Sequence, residues 1–169
     1  MAQFKLKGTV FNTLGELPEI GTKAPDFNLV AEDLSEKTLA SYDGKIKVLN
    51  IFPSTDTGTC QLSVKRFNKE AQKRDDVVFL NVSKDTPFAQ GRFCGTESLS
   101  SVINLSAFRS SFGKDYGIEI IDGPMKGFLA RAQFILAENN TVLYAQLNEE
   151  LSIEPDYEAL LSHLDNRLA

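Results

Sequence analysis

The chain has 169 residues, a length that fits one domain, 1–169, able to bury most of its apolar surface without disulfide or metal staples. Lysine and arginine number 18 against 23 aspartates and glutamates, and the basic residues are scattered, so there is no electrostatic footprint for nucleic acid. Met1 to Gly8 lack the apolar run of a signal peptide and no later stretch approaches a membrane span, so the expected location is the cytoplasm.

Gln3 to Leu14 alternates around Lys7-Gly8 and Asn12 and reads as a short hairpin packed on an edge. Lys23 to Leu29 reads as a loop entering a strand, and Ser41 to Lys45 as a turn. Ile46 to Phe52, rich in β-branched residues with little alternation, predicts a central strand buried on both faces and ended by Pro53. Beyond Cys60, the positions Leu62, Val64, Phe67 and Ala71 predict an amphipathic helix, closed by Asp75-Asp76. Val77 to Val82 predicts a second buried strand and hence a right-handed β-α-β unit. Thr86 caps a short helix opened by Pro87, with Cys94 at its end and Gly95 as the stop. The serine-rich stretch from Thr96 to Gly117 predicts short helices around Ala107 to Phe112. Strands at Leu129 to Leu136 and Val142 to Leu147 form a hairpin, and Pro155 opens a last helix with Tyr157, Leu160, Leu161, Leu164 and Leu168 on one face. The expected class is α/β: a thioredoxin-like sandwich, a central mixed sheet with flanking helices and an N-terminal β-hairpin.

The chemistry concentrates on two cysteines. Cys60 follows Phe52-Pro53-Ser54-Thr55-Asp56-Thr57-Gly58-Thr59, where a strand breaks and a helix begins. A thiol in the first turn of a helix faces unpaired backbone N–H groups and the positive end of the macrodipole, both of which favour a thiolate. A lone helical cysteine is most often a small buried hydrophobe, and Pro53 and Thr57 ahead of Cys60 are what set this one apart. The one histidine, His163, reads as a surface or half-buried helix residue, which leaves no imidazole cluster for a metal site.

The spacing Pro53, Thr57, Cys60 resembles the Pro-x-x-x-Thr-x-x-Cys pattern of the peroxiredoxins. Pro87-Phe88-Ala89-Gln90, Arg92-Phe93-Cys94-Gly95, Asp122 to Gly127 and Glu154 to Glu158 extend the likeness, over nearly the whole chain, to the atypical two-cysteine thiol peroxidase branch. The resemblance implies the peroxiredoxin form of the thioredoxin fold, and roles for five residues. Cys60 would be the peroxidatic cysteine that becomes a sulfenic acid, and Cys94 the resolving cysteine that forms an intramolecular disulfide with it. Thr57 would place a hydroxyl near thiolate and peroxide, Pro53 would shield the sulfur, and Arg131 would stabilise the developing charge. It also implies hydrogen peroxide and organic hydroperoxides as substrates, thioredoxin as electron donor, a homodimer, and no haem, metal or flavin. Two other readings stay open on the residues: a thiol-disulfide oxidoreductase, disfavoured by the lack of a Cys-x-x-Cys turn, and a peroxide-responsive redox sensor that reacts once per molecule.

Overall fold

The computed structural model describes residues 1–168. Its N-terminal strands β1 (Gln3–Leu6) and β2 (Thr9–Asn12) pair antiparallel as a sheet of their own. Lys7 and Gly8 both take positive φ, 51° and 84°, the conformation that joins two twisted strands through a two-residue turn. Phe4 seats the hairpin against Ile120, Ala130 and Leu151.

The main sheet has seven strands: β3 (Leu29–Ala31), β4 (Glu36–Lys37), β5 (Ile46–Ile51), β6 (Val77–Ser83), β7 (Ile103–Ser106), β8 (Ala132–Leu136) and β9 (Val142–Leu147). They lie in the order β4-β3-β7-β6-β5-β8-β9. β5, β6 and β7 are parallel, while β3 pairs antiparallel with β7 and β8 antiparallel with β5. The parallel strands are linked by α1 (Gly58–Ala71) and α2 (Pro87–Thr96), giving the expected β-α-β unit and a second one after it. α3 (Phe112–Asp115) and α4 (Tyr157–Leu168) complete the α-helices among the described residues, and a 3-10 turn spans Leu39–Tyr42. No helix among the described residues is long and apolar enough to cross a membrane.

Every residue of β5 is buried, the apolar ones in the core and the two polar ones, Lys47 and Asn50, on hydrogen bonds to Asn140 and Asn81. Its two faces divide the core. Leu49 and Ile51 join Leu80, Val82, Leu105, Phe134, Phe112 and Tyr116 on one side. Ile46 and Val48 join Cys60, Val64 and Phe67 of α1, Phe93 and Cys94 of α2, and Leu160 and Leu164 of α4 on the other. Phe67 meets Phe79 at 5.8 Å and Tyr157 edge-on at 5.4 Å between ring centroids, which wedges α1 between the sheet and α4. Truncating Phe67 to Ala would remove about 3–5 kcal/mol of stability.

Several expectations need correction. Leu62 is 51% exposed, because the buried stripe of α1 runs through Cys60, Ser63, Val64, Phe67 and Asn68, and a residue two positions from Cys60 and Val64 faces away. Of the short helices expected around Ala107 to Phe112 only α3 forms, starting at Phe112 after a turn over 107–111, and strand β7, which was not expected, precedes that turn. β7 is hard to read because Asn104 and Ser106 are polar yet buried, with hydrogen bonds to Cys94 and to the Asp85 carbonyl. α2 runs one residue past Gly95, β8 begins at Ala132 rather than Leu129, and β5 ends at Ile51. The side chain of Leu168, expected on the apolar face of α4, lies outside the described residues.

Candidate active site

The site lies where β5 ends and α1 begins. Parallel β5 and β6 both deliver their C-terminal ends here, and β8, running the other way, begins here: Ile51 pairs with Ala132. Topology therefore sets Arg131, the residue before β8, beside the loop that carries Cys60. Side chains alternate along a strand, so Arg131 shares the face of Gln133 and Ile135, and Ile135 belongs to the core cluster of Cys60.

Cys60 is fully buried and a free thiol. It occupies the first turn of α1, whose N-cap Thr57 has extended backbone and accepts the first helical hydrogen bond from Gln61 N at 3.0 Å. Arg131 is only 2% exposed, and its Nη2 donates to Cys60 Sγ at 3.3 Å. Its Nε donates to Leu151 O at 2.9 Å, which fixes the guanidinium plane. Nη1 is buried without a hydrogen-bond partner among the described residues. An unpartnered guanidinium donor next to a thiol in a helix first turn is a ready position for an oxygen atom that gains negative charge.

The acceptor of Arg131 is itself braced. In the 148–154 loop, Asn148 Nδ2 donates to Ile153 O and Glu154 O, and Thr59 Oγ1 of α1 donates to Ser152 O at 3.1 Å. The Glu150 carboxylate accepts from Lys7 N and Gly8 N, joining the N-terminal hairpin to the same loop. The Ser152 hydroxyl and these backbone donors hold the Glu150 carboxyl down at about 2.

On the other side Asp85, between β6 and α2, gathers the loop before Cys60. Its carboxylate accepts from Ser54 Oγ at 2.7 Å, Thr55 N at 2.8 Å, Thr55 Oγ1 at 3.3 Å and Ser83 Oγ at 2.7 Å. The sequence pattern does not single it out, because its neighbour Thr86 reads as the helix cap; that cap exists, Thr86 Oγ1 accepting from Ala89 N at 3.3 Å. The signal available was a run of hydroxyl and carboxylate residues, Ser83 to Thr86, leaving a parallel strand next to the one that leads to Cys60.

Of the remaining expected site residues, Pro53 is buried in the turn. Thr57 is exposed, and its hydroxyl donates to Ser54 O at 3.2 Å; among the described residues no hydrogen bond joins it to Cys60. Cys94, 5% exposed, is a free thiol in the same core cluster as Cys60. Burial pushes its thiol above the ordinary value, the hydrogen bond from Asn104 Nδ2 at 3.0 Å draws it back, and the charge of Glu32 raises it further. His163 is exposed on α4, against Tyr144. Among the described residues no group of three or more His, Cys, Asp or Glu is placed to hold a metal ion.

Residues 19–161 match the family model Redoxin. The chain is 46% identical over 165 residues to a thiol peroxidase of Corynebacterium glutamicum, covering 98% of this chain and all of that one. It is 49% identical over 164 residues to a thiol peroxidase of Mycobacterium tuberculosis, covering 97% and 99%. In structure it is similar to a peroxiredoxin-like protein from Aquifex aeolicus, with a TM-score of 0.92 and 34% identity over 98% of this chain and 97% of that one. A thiol peroxidase from Chromobacterium violaceum shares the fold, with a TM-score of 0.90 at 20% identity over 98% and 97%.

Proposed function

This chain belongs to the Redoxin family, as a thiol-dependent peroxidase of the peroxiredoxin type, and on that premise we propose that Cys60 is its peroxidatic cysteine, Cys94 its resolving cysteine and Arg131 the residue that stabilises the charge transferred. The observation that carries the assignment is the setting of Arg131: Nη2 donates to Cys60 Sγ at 3.3 Å, and Nη1 is buried with no hydrogen-bond partner among the described residues.

In the reaction so assigned, the Cys60 thiolate attacks one oxygen of a hydroperoxide and the O–O bond breaks. Sulfur is oxidised to a sulfenic acid, and the leaving oxygen, reduced to alkoxide or hydroxide, takes up a proton. Both charged partners lie within reach of one guanidinium, whose fixed planar donors serve sulfur and oxygen together. Pro53 closes the turn over the sulfur. Thr57, exposed at the N-cap, turns its hydroxyl from Ser54 O toward the bound peroxide.

Cys94 then condenses with the sulfenic acid, forming the S–S bond and releasing water. Both thiols are buried on different helices, and a disulfide requires Cα atoms within about 7 Å. The first turn of α1 and the end of α2 therefore unwind on oxidation, which Gly91 and Gly95 ease. A dithiol protein, thioredoxin, returns the disulfide to two thiols and is oxidised in turn. The enzyme works in the cytoplasm as one domain per chain, in a homodimer whose contact lies near the active-site loops, and it takes hydrogen peroxide and organic hydroperoxides.

Stopped-flow reaction of the parent, Cys60→Ser and Cys94→Ser with both peroxide classes tests this. Cys60→Ser should lose rapid peroxide reduction, and retention of it sinks the assignment. Cys94→Ser should consume one equivalent and stop; normal thioredoxin-dependent turnover would place resolution elsewhere.

A further inference from the structure

Under α1 and α2 the sheet carries a row of carboxamides in register. Asn104 of β7 neighbours Asn81 of β6, Asn81 neighbours Asn50 of β5, and Asn50 neighbours Gln133 of β8. All four are buried, on a face otherwise lined with Val48, Phe79, Val102 and Ile135. Four buried amides in an apolar face cost stability unless they hydrogen-bond. The first three form a chain: Asn50 Nδ2 to Asn81 Oδ1 at 3.1 Å, and Asn81 Nδ2 to Asn104 Oδ1 at 3.3 Å.

The chain ends on the two cysteines. At one end Asn50 Nδ2 donates to Ser63 Oγ at 3.1 Å, and Ser63 Oγ donates to Cys60 O at 2.8 Å. At the other, Asn104 Nδ2 donates to Cys94 Sγ at 3.0 Å and to Glu32 Oε1 at 2.8 Å. The orientation of Asn104 follows from chemistry: its oxygen is committed to Asn81, and a flipped amide would set that oxygen against the Glu32 carboxylate.

We propose that Asn104, steadied by Glu32 and the amide row, is a positioning residue that keeps the Cys94 thiol docked in its buried seat in the reduced enzyme until α2 releases it. The role of this docking in turnover rests on Cys94 being the resolving cysteine; the docking itself does not. A cavity of about 620 Å³ lined by Glu32, Asp33, Lys37, Gly91, Cys94 and Asn104 opens beside the sulfur. Solvent thus stands close to a thiol that burial and one shared amide hold in place. Of the charged groups lining that cavity, Glu32 is the one that acts on the thiol, against its ionisation. The arrangement divides labour between the cysteines: peroxide meets a nucleophile at Cys60 and a thiol held in a buried seat at Cys94, which gains reactivity on leaving that seat for water.

The test follows Cys94 alone, in a Cys60→Ser chain, by iodoacetamide capture across neutral and alkaline pH with mass-spectrometric readout. Asn104→Ala should raise the capture rate about tenfold, the equivalent of one lost hydrogen bond on the opening equilibrium. Glu32→Gln keeps an acceptor for Asn104 and removes the charge on an exposed side chain. It should move the pH midpoint of capture downward and leave the thermal midpoint unchanged, a displacement that a merely structural amide would not produce. Capture in Asn104→Ala at the parent rate overturns the proposal, as does an unmoved midpoint in Glu32→Gln. Should Asn104→Ala fail to fold, Asn104→Ser, whose side chain is too short to keep the bond to Cys94 Sγ, is read in the same way, and capture at the parent rate there overturns the proposal. Because Cys60 is absent from this assay, the outcome is independent of whether Cys94 resolves the sulfenic acid.

Discussion

Replacing Arg131 by Met is the sharpest perturbation of the site, because it preserves length and apolar contact while removing every donor. Three interactions are at stake: Nη2 to Cys60 Sγ, Nε to Leu151 O, and the unpartnered Nη1. The bond to Leu151 O is structural, and leaving that carbonyl unpaired costs about 1–3 kcal/mol of stability. The other two bear on the reaction. Loss of a donor preorganised for charge developing in a transition state lowers a rate about 10²- to 10³-fold, so the second-order rate of peroxide reduction should fall by about that factor. The assay is single-turnover stopped flow in a Cys94→Ser background, where only the first oxidation is seen, with a thermal melt to register the structural share separately. Arg131→Lys should recover only part of the rate, since one ammonium cannot hold Leu151 O, the sulfur and a peroxide oxygen in a plane. A first step slowed less than about threefold by Arg131→Met, in a chain that melts as the parent does, would refute the reasoning.

Asp85→Ala strips the acceptor from Ser54, Thr55 and Ser83 together; stability should drop by about 3 kcal/mol and the first oxidation should slow about tenfold as the turn before Cys60 loosens, read by urea melts and stopped flow. Amide exchange of Gly58 to Val64 and of Phe88 to Thr96 should speed up in the disulfide form, and equal protection in both redox states would count against the unwinding of α1 and α2. Glu150 bears on acid stability. Its carboxyl sits at about 2 in the fold against an ordinary 4.5, so its contribution is present above that ordinary value and is lost as pH falls toward the folded one. Glu150→Gln should therefore show a shallower loss of thermal midpoint over that acid window than the parent, and parallel curves would remove Glu150 as the tie between hairpin and loop.

The candidate nucleophile, its helix, the β-α-β unit and the N-terminal hairpin were legible in the sequence because each is set within a short stretch. An apolar run broken by Pro53 and followed by helical spacing places Cys60 at a helix start whatever the rest of the chain does, and Lys7-Gly8 marks a turn on its own. The pairing of Arg131 with Cys60 depends instead on β8 lying antiparallel beside β5, a relation between segments 71 residues apart that no local pattern encodes. Strand β7 was lost for a related reason: Asn104 and Ser106 look like loop residues until Cys94, Glu32 and the Asp85 carbonyl are brought up to bond them. Asp85 likewise reads as an unremarked acid until four donors converge on it. Local propensity and period settle which residues form an element and which face is apolar. Only tertiary structure decides which polar side chain finds a buried partner, because that partner comes from another strand, and here those partners hold both cysteines in place.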